Sequence, residues 1–407
     1  MNRRNFIVGA GAAMGTRFIS WPSHAQPTTG PQLKGYLRTN WSRDPFAYGT
    51  YSHIAKGSSR RDHWHLSQPL MDRLFFAGEA ANPDRNSSVH AALETGRSVA
   101  QDLLEYDYQT IGIIGAGISG MVAAHALGGA GRTVRVIEAR DRIGGRIHTD
   151  YSAGVACDLG ASWLHGPIGN PLTEVTDAAG MRKVITTDTW IARDRGRKLK
   201  DQELPGWINE ISEYDNRAGA SADAINQWAY AFFSDYQGND LIFPDGYAQI
   251  FEQFQGNYDV TLNEIVQAIN YDANGVQLTS SSGQSSFDAV VVTVPLGVLK
   301  SGDIAFNPAL PKTKQRAIAR LGMGTLDKIY LQFDQVFWDK APHSILSPFT
   351  DYEPGYYNNW INLYALFSEP FLLVFNGGPA ALALSSESDE TVVQGALRTI
   401  RRAYGYS

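Results

Sequence analysis

The sequence predicts an α/β fold in two parts. One is a Rossmann-like dinucleotide-binding domain, a parallel sheet with helices. The other is an α+β domain built on a mixed sheet. Three observations predict this. Residues 110–146 hold a strand, a glycine-rich turn, a helix and a second strand in succession. Val290 to Val294 is continuously apolar, as a strand buried on both faces of a parallel sheet is. Elsewhere, helical periodicity (Trp207 to Tyr214, Ala224 to Phe233) mixes with an alternating strand at Lys328 to Phe333.

In the first stretch, the apolar strand Ile111 to Ile114 runs into Gly115-Ala116-Gly117-Ile118-Ser119-Gly120. Gly115 permits the tight turn, Gly117 lets the backbone approach a pyrophosphate, and Gly120 lets helix and strand pack closely. The helix that follows offers free N–H groups and the positive end of its dipole to phosphate. Ser119 lies in its first turn. The second strand, Val134 to Ile137, ends on Glu138, 23 residues past Gly115, where a carboxylate accepts from ribose hydroxyls. An ordinary glycine-rich turn would explain the glycines, but not the strand, helix and acid at these distances. Arg140 and Gly144-Gly145-Arg146 follow at once. They suit a second backbone approach to the pyrophosphate, with a guanidinium able to pair with its oxygens.

From here the chain resembles the flavin-containing amine oxidases, which include monoamine oxidases, polyamine oxidases and lysine-specific histone demethylases. The resemblance rests on many blocks at similar spacings. Cys157 to Gly166, with Gly160, Ala161, Ser162 and Trp163, resembles the family's flavin-facing loop. Leu241 to Tyr247 resembles its F-P-x-G-Y turn. Leu262 to Ile269, which contains Val266, Ala289 to Lys300 and Lys328 to Phe337 also match, as do Leu74 to Glu79 and Ser88-Val89-His90. The resemblance implies FAD, held noncovalently, because Thr50 stands where monoamine oxidases attach the flavin through cysteine. It implies that Gly78, Glu79, Val89 and Val266 join the glycines and Glu138 in holding the cofactor. It implies oxidation of a polyamine-like amine by hydride transfer to the flavin N5, then imine hydrolysis and reoxidation by O2 to give H2O2.

The resemblance also assigns roles at the reacting end. Lys328 matches the lysine that reaches the flavin N5 through a water. Tyr51 matches an aromatic wall that holds an amine by cation–π attraction. Ser88 stands where a second aromatic wall residue is common, so a full aromatic sandwich is not expected. His165 is expected either to line the substrate passage or to be structural. The runner-up activity is L-amino-acid oxidation, which needs an arginine for the substrate carboxylate. Gly160 to Trp163 lacks the arginine that such enzymes tend to carry there. A nonenzymatic flavin-fold remnant is the other class of reading.

The block order departs from the family. There the segments matching Trp41 to Ser52 and Phe76 to Glu79 close the chain; here they precede the first glycine-rich strand. This resembles a circular permutation, in which the helix from about Val89 to Leu104 finishes near the start of the Ile111 strand and Glu105 to Gln109 form the new link. It predicts Leu74 to Phe76 in the same sheet as Ile111 to Ile114, and Ser407 near Pro31.

Composition agrees with a folded enzyme. Of 407 residues, 43% are hydrophobic and 19% charged, which argues against disorder. A net charge of −6 argues against nucleic acid as a partner and suits a cationic substrate. Past the N-terminus no apolar run is long enough to span a membrane, and no metal site is expected. Arg3-Arg4-Asn5-Phe6-Ile7-Val8, with Ser23-His24-Ala25 ahead of Gln26, reads as a twin-arginine export signal over residues 1–25. The expected location is periplasmic or secreted, with the twin-arginine machinery as a partner. The single Cys157 rules out an intrachain disulfide. It is read as a small buried residue, with a redox or covalent flavin role as the alternative. The expected division is 26–66 substrate side, 67–172 flavin domain, 173–257 substrate domain, 258–302 flavin domain and 303–407 substrate domain.

Overall fold

The computed structural model describes residues 17–22, 30–186, 189–231, 236–341 and 344–406. The twin-arginine motif, the Ser23 to Ala25 cleavage site and Ser407 lie outside them. Ile19–Ser20, within the expected signal, pairs antiparallel with Gly35 and Tyr36, and Trp21 packs edge-on against the Tyr36 ring at 5.8 Å.

The first layer system is a five-stranded, wholly parallel sheet. Its order is Asp259–Thr261, Thr133–Ile137, Thr110–Ile114, Ala289–Val292, Leu74–Phe76. Register pairs Val291 with Ile113 on one side and Phe75 on the other. All three residues are buried, which matches their lack of polar alternation. The Leu74–Phe76 strand therefore stands in the same sheet as the glycine-rich strand. The helix after it runs Val89–Leu104, capped by Ser88, and packs on the Ile118–Gly129 helix. Contact is close because Gly96 has no side chain: a Cβ there would come 2.4 Å from the Ser119 carbonyl oxygen.

The second system is an eight-stranded mixed sheet centred on Leu326–Phe333, Phe371–Gly377 and Asn359–Asn362. Strand alternation sorts its faces. Ile329, Leu331, Phe333, Val374 and Trp360 pack beneath the amphipathic helix Asp389–Tyr404. Lys328, Tyr330, Phe375 and Asn359 occupy the opposite face, toward Cys157 to Trp163. Helices therefore cover one face and leave the other for a site.

Two local readings are corrected. In sequence, Gly275 to Ser281 and Ser286 to Val294 read as two strands joined around Ser282-Gly283-Gln284, but residues 275–294 are not one hairpin. Gly275–Ser280 and Gly283–Phe287 pair in a four-stranded sheet, while Ala289–Val292 enters the parallel sheet. Asp288 makes the break. Its carboxylate accepts from the Gln109 and Thr110 amides at 2.9 and 2.8 Å, fixing where the apolar strand enters the sheet. The periodic stretch from Ala224 is not one helix either. A short turn, Ala222–Ala224, is separated from Gln227–Ala231, because Ile225 bridges to Ala55 and the Asn226 amide bonds the Ile54 carbonyl. Residues 232 and 233, at its end, lie outside the described residues.

Gly96→Val should lower the unfolding free energy by about 1–3 kcal/mol through overpacking, read as a drop in urea midpoint. An unchanged midpoint would show that the two helices do not meet at this point.

Candidate active site

A cavity of about 720 Å³ opens between the carboxyl ends of the parallel strands and the free face of the mixed sheet. Every sequence-predicted site residue lines it except Gly120. Gly120 acts one layer back, where a Cβ would stand 2.1 Å from the Gly115 carbonyl oxygen, closer than any contact allows.

At the dinucleotide end the chain leaves room for a ligand. Gly117 caps the Ile118–Gly129 helix without a side-chain bond, and nothing lies within 4 Å of where its Cβ would be. The Ser119 hydroxyl is buried and unpartnered. Gly144 and Gly145 have positive φ (104° and 58°), and the Gly144 amide bonds the Ala116 carbonyl, laying the second glycine pair on the first turn. Glu138 is set by its own neighbours: its carboxylate accepts from the Ala116 amide at 2.7 Å and the Arg140 amide at 2.9 Å. An open glycine, an orphan hydroxyl and an uncapped helix end together fit a pyrophosphate. Val266 lines this end too.

Both arginines line the cavity and have acidic partners within the chain. Arg140 makes a two-pronged pair with Asp44 at 2.7 and 2.9 Å, stacked on Phe46, rather than facing open space. Arg146 pairs with Glu79 at 2.8 Å and donates to the Thr50 carbonyl. Glu79 accepts further from Ser52 and the Ser87 amide. Burial works to raise its pKa, but Arg146, Ser52 and Ser87 outweigh it and hold the carboxyl below its usual range. Gly78, with φ 124°, precedes it, and Val89 opens the helix beside it. The Ser88 hydroxyl is occupied as the helix cap and by the Arg85 carbonyl, so Ser88 contributes a small wall rather than a free hydroxyl.

At the other end Lys328 is fully buried. Its Nζ donates to the carbonyls of Asp158 (2.8 Å) and Gly160 (2.6 Å) and to the Ser162 hydroxyl, and lies 5.5 Å from the Trp163 ring centre. Burial lowers its pKa; burial likewise raises that of Asp158, whose carboxylate is held by Thr149 and the Tyr247 amide. Gly160 must be glycine, because a Cβ would meet the Arg146 carbonyl, and Ala161 bonds that same carbonyl. The Tyr51 hydroxyl donates to the Asn216 carbonyl at 2.5 Å. The Thr50 hydroxyl donates to Gly324 and accepts from the Leu326 amide, so it stitches strands together.

Among the lining residues that sequence reading did not single out are Asn216, Asp240, Asn359 and Phe375. Asp240 had a signal, since it immediately precedes the Leu241 to Tyr247 block. It lies opposite His165 across a strand pair and bonds its Nδ1 at 2.6 Å and the Gly166 amide at 3.1 Å. Burial opposes its ionisation, but His165 and Gly166 hold its carboxyl below the usual range. Among the described residues no three His, Cys, Asp or Glu side chains converge as a metal site needs, and no helix is long and apolar enough to cross a membrane.

A family profile described as flavin containing amine oxidoreductase matches residues 23–104, 118–205 and 195–407. Polyamine oxidase 2 of Arabidopsis thaliana is 32% identical over 352 residues, 71% of this chain and 71% of the relative. Polyamine oxidase 4 of Oryza sativa subsp. japonica is 31% identical over 343 residues, 69% of this chain and 70% of the relative. Lysine-specific histone demethylase 1B of Mus musculus is 29% identical over 364 residues, 74% of this chain but 44% of the relative. A solved wild-type putrescine oxidase bound to putrescine aligns with a TM-score of 0.54 at 18% identity, over 73% of this chain and 82% of that one, a likeness of fold.

Gly117→Val should leave stability near the wild-type value, since φ is −72° and the space is open. It should abolish or severely weaken FAD binding by filling the pyrophosphate cradle. The flavin-to-protein absorbance ratio after purification, with and without added FAD, reads this. A full complement of flavin would refute the placement.

Proposed function

This chain belongs to the flavin-containing amine oxidoreductase family, and on that footing we propose that it oxidises a polyamine-like amine with noncovalent FAD and O2. The observation that carries the reading is the pairing of a dinucleotide cradle with a lysine, an aromatic wall and a carboxylate in one cavity. FAD, when bound, supplies the hydride acceptor. Gly117, Ser119, Gly145 and Glu138 would hold its dinucleotide part, and Gly78, Glu79, Arg146 and Val89 the flavin part.

The chain's own residues then have three tasks. The first is to hold the amine. Tyr51 and Trp163 offer aromatic faces beside Lys328, and Asp240, steadied by His165, offers a carboxylate to a distal ammonium. The second is to take a proton: an amine gives up hydride from the adjacent carbon only when its nitrogen is neutral. A lysine whose pKa burial has lowered is suited to accept that proton near neutral pH. The third is to keep water out, which the apolar lining of Phe375, Ile304 and Leu326 favours. No residue attaches the flavin in this reading. The Thr50 hydroxyl is committed to Gly324, and Cys157 is fully buried with its pKa raised by burial. L-Amino-acid oxidation stays as a second reading because Arg217 lines the cavity, though it is ion-paired to Glu213 at 3.7 Å and half-exposed.

Circular permutation is part of the same proposal. Three facts support it. The Leu74–Phe76 strand hydrogen-bonds into the parallel sheet. Arg401 bonds the Pro31 carbonyl and the Tyr406 ring lies against Gly30. The polyamine oxidases align over about seven-tenths of each chain, as they would if one contiguous block stood at the other end. A relinked chain with residues 30–104 joined behind Tyr406, in the family's order, should melt within a few degrees of the original and bind FAD. Failure to fold would defeat this part.

Anaerobic addition of spermine, spermidine or putrescine should bleach the flavin band, and acid precipitation should release all the colour from the protein. The bleaching rate should rise with pH through about 8, as Lys328 loses its proton. In Lys328→Met that inflection should vanish and the rate fall roughly ten-fold or more. Bleaching by L-amino acids alone would transfer the function to the second reading. Coloured precipitate would overturn the noncovalent assignment.

A further inference from the structure

Two short helices, Arg60–Ser67 and Lys312–Arg320, pack side by side, and no residue of either lines the cavity. Lys314 locks them together. It is buried, and its Nζ donates to the carbonyls of His65 (3.1 Å), Leu66 (2.5 Å) and Gln68 (2.7 Å) and lies 3.8 Å from the Phe76 ring centre. At the other end Arg320 donates to the Gly57 carbonyl at 2.9 Å, so the helices run antiparallel. Lys300 holds the last carbonyls of the second helix, Ile318, Ala319 and Leu321. The pair is a rigid platform with two lysines turned inward.

Helical periodicity sorts its faces. In the first helix Asp62, His63 and Leu66 turn inward, and Arg60, Arg61 and Trp64 outward. In the second Lys314, Ala317 and Ile318 turn inward, and Lys312, Arg316 and Arg320 form an outward row at i, i+4 and i+8. Like charges at that spacing destabilise a helix, yet neither outward face carries an acid. Residues 56–68 and 312–320 hold seven Lys and Arg against one Asp, in a chain whose net charge is −6. That one, Asp62, is buried; its carboxylate accepts from the Ser59 amide at 2.8 Å and lies 3.7 Å from Arg320. Of the nearby acids, Asp84 pairs with Arg60 at 3.8 Å, and Asp223 accepts from the Ser221 hydroxyl at 2.5 Å. Among the described residues Arg61, Lys312 and Arg316 make no ion pair.

Two indoles flank these cations. Trp64 is 46% exposed on the first helix, and Trp228 is 76% exposed on the helix Gln227–Ala231. Asn226, just before that helix, donates to the Ser58 carbonyl at 2.9 Å, beside the Ser59 cap of Arg60–Ser67. Trp228 therefore stands at the edge of the platform. Clustered cations with exposed indoles suit an anionic phospholipid surface: the cations meet phosphates, and the indoles settle at headgroup depth. Screening over about 8 Å at physiological salt lets a flat bilayer touch the platform without meeting the acidic remainder of the chain. A nucleic acid running past the platform would meet that remainder.

We propose that this two-helix platform is a docking surface for an anionic phospholipid bilayer. Docking is peripheral. Lys56, Arg61, Lys312 and Arg316 lie over lipid phosphates, and Trp64 and Trp228 enter the headgroup layer.

The test sediments the FAD-loaded full chain with vesicles of equal parts phosphatidylglycerol and phosphatidylcholine, and with vesicles of phosphatidylcholine alone. The protein should bind the first at about 0.05 M salt, leave them at about 0.5 M, and ignore the second. Lys312→Gln with Arg316→Gln, at wild-type melting temperature and flavin content, should weaken binding about thirty-fold, the effect of two cations at a bilayer surface. Trp64→Ser should also weaken it and reduce the blue shift of indole fluorescence on binding. The N-terminal arginines are the same in every variant, so the differences read the platform alone. No sedimentation with the phosphatidylglycerol vesicles overturns the proposal, and so does binding that the double variant leaves unchanged. Tighter binding to a DNA duplex of about twenty base pairs at the same salt overturns the lipid assignment in favour of nucleic acid.

Discussion

The Glu79 carboxylate is 5% exposed, and four separate stretches of chain meet on it. Ser52 brings the strand Tyr51–His53, Ser87 the turn before the Val89–Leu104 helix, Arg146 the second glycine loop, and Glu79 itself the end of the Leu74–Phe76 strand. Arg146 extends the junction to the Thr50 carbonyl. A buried pair of this kind is weak evidence for extra stability, but losing one partner leaves an uncompensated charge and costs about 3–5 kcal/mol. Its significance is positional. Tyr51 lies between Thr50 and Ser52; Ser88 and Val89 follow Ser87. One carboxylate thus fixes the front wall, the small side wall and the helix end relative to the glycine turn.

The Lys328 end solves a different problem, a cation with no solvent. Two backbone carbonyls and a hydroxyl satisfy its three donors, and the Trp163 ring supplies a negative face. Tyr330, two residues on, donates to the same Asp158 carbonyl, so sheet and loop are bonded twice at one oxygen. This arrangement uses the serine hydroxyl at 162, while the Arg146 carbonyl keeps 160 a glycine. It also settles Cys157. Completely buried, with burial and the carboxylates of Asp150 and Asp158 raising its pKa, the thiol behaves as a small packing group.

How much of this was legible in the sequence follows from the range of each contact. The strand Thr110–Ile114 and the Val89–Leu104 helix were read nearly to the residue, and the Ile118–Gly129 helix in its place after the glycine-rich turn, because local patterning and turn chemistry specify them. The residues 275–294 were misread because the break at Asp288 depends on amides of residues 109 and 110, which no local window contains. The glycines lining the cavity were visible, since their spacing is itself the signal. Asn216 and Asn359 were not. An asparagine in a strand or at a helix end is ordinary in sequence, and its place on the cavity wall shows only when the sheet face is assembled. The partners of the arginines were equally out of reach of any local window, since Arg140 pairs with Asp44 and Arg146 with Glu79, 96 and 67 positions away.

That distance between contacting residues bears on the order of the chain. Almost nothing that shapes the cavity is local: Thr39 and Asp327, Thr50 and Leu326, Arg38 and Asp389 join positions hundreds of residues apart. Such contacts are indifferent to which peptide links are made, provided the ends meet. They meet at two places. Residues 105–109 bridge the Val89–Leu104 helix to the glycine-rich strand, helped by Asp288, which grips Gln109 and Thr110. At the second place, Arg401 donates to the Pro31 carbonyl. Loop-closure entropy changes slowly with loop length, so exchanging one seam for the other costs little so long as the packed faces are the same. The cavity then depends on the sheet faces and the Glu79 junction more than on which peptide links join its segments.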